Sequence, residues 1–368
     1  MKNYLLLFFS MALFVLSCKK KDEVPPETRA FRMAVTPWPA DFTPAEVDSA
    51  YNFINSNCDM VSHHFDEGIP YEEAFTQSAM PTALVQEVNT RKSRSDRKVF
   101  LSVSALGIDR ISKANYYTNS ILADTIKQRW QAMAFDDPRV VTAYVNYVNY
   151  LISSFNPIYV NFGVESNSEN WNATSFAAYK TFLSSVYAQL KVSHNQLPLF
   201  ISFMAIDHPT AVSNAQQLIT ATDYIGISAY PYGAYPFFTA NGSNPDELPA
   251  DFFTKYLDLA PSKPWGFAET GYIAEPLIIP NWGFSKNGTE GWQDKYLQNV
   301  LYLCNGRKAK FFIWFCHKDY DAGNITLQSL GLYQDLFALW EDTGLVAETG
   351  RKRSAYNTWR NWYVKPLR

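Results

Sequence analysis

Two glutamates stand at the ends of short apolar runs, where a side chain can be held rigidly and still reach solvent. Glu165 follows Phe162-Gly163-Val164 and Glu269 follows Gly266-Phe267-Ala268. A protonated carboxyl can assist a departing oxygen, and an ionised one can attack an anomeric carbon. Two facing carboxyl groups are therefore the minimal apparatus for cleaving a glycosidic bond. Mutual repulsion and unlike neighbours drive the two pKa values of such a pair apart.

Facing carboxyls need a scaffold that brings distant strands to one hollow. Apolar, β-rich runs recur at Phe31–Thr36, Asp59–His63, Val99–Ser104, Ile158–Phe162, Leu199–Phe203, Tyr224–Ser228, Trp265–Ala268 and Phe311–Phe315. Helical stretches alternate with them: Thr43–Asn55 with its Thr43-x-x-Glu46 capping box, Pro81–Arg94, Pro138–Phe155, Thr174–His194, Pro209–Thr220, Ala250–Leu259 and Thr289–Cys304. Tyr333–Trp340 and Ala355–Tyr363 close the ring. Eight strands alternating with helices predict an α/β fold, a (β/α)8 TIM barrel. The rival doubly wound sheet wants a glycine-rich first turn, and Pro37-Trp38-Pro39 stands there instead. In this barrel the glutamates end strands four and seven, on opposite sides of the mouth that carries the active site of barrel enzymes. Long insertions after strand three (105–137) and strand seven (270–288) lie on the same side.

The 368 residues carry 32 Lys+Arg against 35 Asp+Glu, a net charge of −3, with 47% hydrophobic residues. That is too apolar for a disordered chain, and its charge leaves no footprint for nucleic acid. The 10 Trp, 23 Tyr and 26 Phe exceed what a core alone requires, so part of them is expected to line a cleft. At the N-terminus, the apolar run Tyr4–Leu16 is too short to span a bilayer and has the length of a signal-peptide core. Leu16-Ser17-Cys18 resembles the lipobox of bacterial lipoproteins, which implies acylation of Cys18. The expected organisation is a signal peptide over 1–17, a lipidated cysteine and tether over 18–29, and one barrel domain over 30–368. The expected location is the bacterial cell envelope, at the outer membrane, with the lipid as the membrane contact. Cys58, Cys304 and Cys316 lack metal or framework spacing and read as core thiols or at most one disulfide.

Several stretches carry a family resemblance. Asp223-Tyr224-Ile225-Gly226-Ile227-Ser228-Ala229-Tyr230-Pro231-Tyr232, Ala268-Glu269-Thr270-Gly271-Tyr272 and Gly163-Val164-Glu165 resemble the clan A glycoside hydrolases, and most of all family 53, the endo-β-1,4-galactanases. The tail, with Thr343-Gly344-Leu345, Gly350 and Ser354-Ala355-Tyr356-Asn357-Thr358-Trp359, resembles the common ending of clan A domains. The resemblance implies a retaining mechanism with Glu165 as acid/base and Glu269 as nucleophile, and Tyr230 as the tyrosine that hydrogen-bonds the nucleophile. Two departures stand out: Val164 replaces the family's asparagine, and Ser62-His63-His64-Phe65-Asp66 holds no arginine at the end of strand two. Asn167 and Asn161 are the candidates to contact the sugar 2-hydroxyl in place of that asparagine.

Further substrate-binding candidates follow from position. Trp314 ends strand eight, where an indole offers a flat floor for a sugar ring, while Trp38, Tyr232 and Trp282 lie on loops of the same mouth. His63 and His64 are adjacent on a strand, so only one points inward, and His63 or Asp66 is expected to contact substrate or a catalytic carboxylate. Asp319-x-Asp321-x-Gly323-Asn324 lacks the distal glutamate of a calcium loop and reads as a turn. No metal or cofactor is expected. The expected substrate is a polysaccharide or oligosaccharide, and the rival function is a surface glycan-binding protein on a weakened glycosidase barrel. An esterase or deacetylase would need a nucleophile elbow or a metal cluster, and neither pattern occurs.

Overall fold

The computed structural model describes residues 26–233, 238–239 and 241–368. The expected signal peptide, Cys18 and most of the tether lie outside the described residues. Eight parallel strands form a closed barrel: β1 (Arg32–Val35), β2 (Met60–Phe65), β3 (Lys98–Val103), β4 (Tyr159–Gly163), β5 (Leu199–Met204), β6 (Ile225–Ala229), β7 (Trp265–Thr270) and β8 (Phe311–Trp314). Each pairs with its neighbours in sequence, and β8 closes on β1 with Arg32 opposite Phe311. The fold is the (β/α)8 barrel expected from the alternation of elements.

The helices form where capping and proline signals lie. Thr43 accepts a hydrogen bond from the Glu46 backbone N–H at 3.3 Å and starts the helix Pro44–Asn57. Asp137 caps Pro138–Phe155, and Asn172 caps Ala173–Ser193. The expected helix over 250–259 shrinks to Thr254–Leu257, hemmed by Pro249 and Pro261. Two short helices lie in stretches read from sequence as loop: Tyr71–Thr76, and Asp124–Gln131 inside the long insertion after β3. Trp130 joins them by stacking on Tyr71 at 5.7 Å. Asp321, expected in a turn, begins the helix Asp321–Ser329. The insertion after β7 folds into an antiparallel ribbon, Leu277–Ile279 against Phe284–Lys286.

Aromatic rings plug the barrel interior near the strand starts. Phe311 packs against Phe100, Tyr159 and Phe200 at 5.0, 5.0 and 5.1 Å. Glycines on neighbouring strands make room for these rings. A Cβ on Gly226 would meet Phe200 at 2.8 Å, and one on Gly266 would meet both the ring and the carbonyl oxygen of Phe311 at 2.5 Å. The plug leaves only the opposite end, where the strands finish, open as a mouth. Cys58, Cys304 and Cys316 are buried free thiols.

Gly266→Ala overpacks this plug where backbone as well as ring must move. A loss of about 2 kcal/mol in unfolding free energy is expected, measured by urea denaturation.

Candidate active site

Strand β7 departs from simple alternation at the point that matters. Gly266 faces the interior, Phe267 packs outward and Ala268 belongs to the interior cluster. The next residue would face out, but the β6–β7 register shifts between Ile227 and Ser228, so that Ser228 pairs with Glu269. This irregularity turns Glu269 into the mouth, as bulges beside functional sites do. Thr270 then points outward and hydrogen-bonds the Ala229 carbonyl and Tyr296 at 2.7 Å each.

Glu165 reaches the same mouth by another device. It follows β4 with φ of +50°, a left-handed backbone that is uncommon for a non-glycine residue and concentrates at functional sites. Its N–H donates to Ser202 Oγ at 3.0 Å, which ties the turn to β5. Its carboxylate is buried and accepts from Arg110 Nε at 2.8 Å. Arg110, on the loop after β3, also has φ of +56° and grips Asp66 with both terminal nitrogens, at 3.0 and 3.2 Å. Burial alone would raise the Asp66 pKa, but Arg110 and then His64 outweigh it and hold it below the ordinary carboxylate value.

On the other wall Tyr230 donates its hydroxyl to Glu269 Oε1 at 2.6 Å, a charge-assisted bond. His64 Nδ1 lies 3.6 Å from Glu269 Oε2, and Nε2 lies 4.0 Å from Asp66. Burial would lower the His64 pKa, yet the carboxylates of Glu269 and Asp66 raise it above the usual imidazole value. Glu165 and Glu269 thus open onto one cavity of about 620 Å³ with Asp66, His64, Arg110 and Tyr230 around them. Its aromatic wall is Trp38, Phe315, Tyr320 and Trp340, with Trp38 6.0 Å from Phe315 and Trp340 5.7 Å from Tyr230. The indole N–H groups of Trp38 and Trp340 are buried and have no acceptor among the described residues.

Of the residues singled out from sequence, Glu165, Glu269, Trp38, Asp66, Tyr230 and Tyr232 line this cavity. Tyr232 is fully buried and spends its hydroxyl on the Leu339 carbonyl at 2.8 Å. His63, Asn167 and Trp314 do not line it, and these three assignments are corrected. On β2 Met60 faces the interior, so His64 does as well, while His63 turns out to pack on Phe155 at 4.8 Å. Asn167 is a structural staple: its amide accepts from the Met204 N–H at 2.7 Å and donates to the Met204 carbonyl at 3.0 Å. On β8, Phe311 and Ile313 fill the interior, so Trp314 turns into the helix layer and donates to the Thr343 carbonyl at 2.8 Å. Phe315 takes the place in the mouth expected of Trp314. Asn161 lies deeper in the barrel, bonded to Ser202 at 3.0 Å, and Trp282 lies outside the cavity.

Arg110, His64, Phe315, Tyr320 and Trp340 line the cavity and were not singled out from sequence. Arg110 sits in a loop of no periodic pattern, and Trp340 comes from a distant 3₁₀ segment, Asp335–Trp340. For His64 the signal was present, since one of two adjacent histidines had to face inward. Away from the cavity, carboxylate oxygens of Glu275, Asp319 and Asp342 lie within 4.8 Å of one another, the spacing a cation would need. Arg353, fully buried, already pairs with Asp319 and Glu275, and burial pushes the Asp319 pKa up to about 7 against that pairing.

A scan against protein-family models finds no match, and neither does a search of curated protein sequences. Solved structures do match. The glycoside hydrolase family 53 catalytic domain of Ignisphaera aggregans superposes with a TM-score of 0.58 at 16% identity, covering 92% of this chain and 97% of that one. What the chain shares with these structures is the (β/α)8 barrel. The exo-β-1,4-mannosidase Op5Man5 from Opitutaceae bacterium strain TAV5 gives 0.59 at 14% identity and 91% of this chain, which spans 59% of the mannosidase's length. Xylanase 10B from Thermotoga maritima gives 0.57 at 9% identity, covering 91% and 95%. At these identities the likeness is one of fold.

Two pH-dependent outcomes follow from the mouth's charges. His64 has a raised folded pKa, so its contribution is full below the unfolded value and fades as pH rises through the folded one. His64→Gln is therefore expected to lower Tm against the parent at about pH 5.5 and to match it near pH 9, read by thermal melts. Arg110→Met acts the opposite way. Asp66 has a depressed folded pKa, so the stability lost with Arg110 is largest near neutrality and shrinks below about pH 4.

Proposed function

We propose that the chain is a retaining glycoside hydrolase acting on a polysaccharide, with β-1,4-galactan the first glycan to test. One observation carries the reading: two glutamates from opposite sides of a closed barrel open onto a single cavity with an aromatic wall. In this mechanism Glu165 gives a proton to the glycosidic oxygen as its bond to the anomeric carbon breaks. Glu269 attacks that carbon and forms a covalent glycosyl-enzyme. Glu165 then takes a proton from water, whose oxygen attacks the same carbon and releases Glu269. Tyr230 and His64 hold Glu269 from two sides, and His64 supplies the positive partner that the missing strand-two arginine would provide. Trp38, Phe315 and Trp340 offer apolar faces to the C–H faces of a sugar ring.

A second reading, a glycan-binding protein on the same scaffold, is favoured by Arg110. A Glu165 carboxylate that accepts from a guanidinium at 2.8 Å is an acceptor, and proton donation requires that contact to be exchanged for one to substrate. Val164, buried where the family has asparagine, removes a contact to the sugar 2-hydroxyl. We also propose export with acylation at Cys18 and a place in the bacterial cell envelope. The apolar run that ends at Leu16-Ser17-Cys18 supports this.

Reducing-end release from galactan, xylan and mannan separates the two functions. For the enzyme, one glycan is cleaved with the anomeric configuration retained in the first product seen by NMR. Glu269→Gln then lowers the rate by at least about 10⁴-fold with glycan affinity kept, and Tyr230→Phe lowers kcat by about 10- to 100-fold. Tight binding without cleavage across the panel, unchanged by Glu269→Gln, would establish the binding protein.

A further inference from the structure

The mouth mixes signs, with Asp66, Glu67, Glu165 and Glu269 beside Arg91, Arg94 and Arg110 in one cavity. At the other end, where the strands start, Arg32 opens β1, Lys98 opens β3, Lys263 precedes β7, and Arg307, Lys308 and Lys310 precede β8. Most acids of that end are already engaged. Asp59 pairs with Arg29 at 2.5 Å, Asp223 with Lys191 at 3.0 Å and Asp258 with Arg307 at 3.4 Å, which leaves Glu27 and Asp96 exposed. Lys98, Lys308 and Lys310 are exposed, and no carboxylate pairs with them among the described residues. This concentration of cations stands out in a chain whose net charge is −3.

The same face has relief and apolar surface. A depression of about 200 Å³ is lined by Lys263, Trp265, Arg307, Lys308 and Lys310. On the same end of the barrel Val364 and Leu367 are 65% and 37% exposed. The chain also enters the barrel here: Arg29 bridges to Leu367, and the Arg32 N–H donates to the Lys310 carbonyl at 3.0 Å. The described chain, which begins at Pro26, therefore enters the barrel on this face.

We propose that the strand-start face docks on an anionic lipid surface, with a headgroup phosphate in the Lys263–Lys310 depression and the mouth turned away from the membrane. Cations within a Debye length of an anionic bilayer are attracted to it, and exposed aliphatic side chains between them add contact with the interface. A soluble polyanion would use the cations but not the neighbouring apolar surface. The proposal holds whether the mouth cleaves glycans or only binds them.

The test is co-sedimentation of the full chain with vesicles of phosphatidylcholine alone or with about one third phosphatidylglycerol. The apolar N-terminal run is the same in every variant, so differences report the face. The expected result is at least about a tenfold preference for the anionic vesicles, lost at about 0.5 M salt. The triple variant Lys98→Glu, Lys308→Glu, Lys310→Glu loses that preference, the corresponding Lys→Gln variant reduces it, and Lys180→Glu on the barrel flank keeps it, all with unchanged Tm. Equal partition into both vesicle types would overturn the proposal. So would a preference that survives in the Lys→Gln variant, or binding to heparin without binding to vesicles.

Discussion

Glu269 reaches the mouth only because β7 slips by one residue against β6, and the chemistry of this molecule depends on that slip. In a strand of unbroken alternation Ala268 and Thr270 would share the interior, and the carboxylate would lie among the outer helices. The irregular pairing lets Ala268 and Glu269 both face inward. Closure of the barrel does the rest, since eight parallel strands aim their ends at one hollow and bring Glu165 across from Glu269. The left-handed backbone at Glu165 completes the convergence from the other side.

The mouth is built as an alternating charge network. Glu165, Arg110, Asp66, His64 and Glu269 follow one another, each with an opposite neighbour, and Tyr230 terminates the row with a neutral donor. Arg110 and His64 stand between the three carboxylates and offset part of their mutual repulsion. It also links the glutamates: a ligand that displaces Arg110 from Glu165 leaves Arg110 on Asp66 and reaches His64 through it. The aromatic wall opposite carries no charge, which suits the C–H faces of a sugar.

Much of the architecture was legible because it rests on local signals. Each strand was readable as a short apolar run and most helices as capped amphipathic stretches, and their alternation admits few topologies. The sites at Glu165, Glu269 and Tyr230 were legible because strand ends in a barrel have a defined position. Phase was not legible in strands apolar on both faces. Phe311-Phe312-Ile313-Trp314 offers no polar marker for which pair looks inward, so Trp314 read as a floor when it is core. The two histidines of β2 posed the same ambiguity. Short helices such as Tyr71–Thr76 escaped because one or two turns produce too little periodicity to register.

From residue order alone came the eight strand-helix units and the glutamates at the ends of the fourth and seventh strands. Those are properties of neighbouring residues, set by backbone preference and by where apolar runs stop. Only tertiary structure decided which of two adjacent side chains faces the hollow, that Arg110 from a loop would grip Glu165, and that Trp340 from a distant segment would complete the wall. These depend on strand register, on closure of the ring and on contacts between residues far apart in the chain, and a linear pattern does not encode the angle at which a strand is rolled.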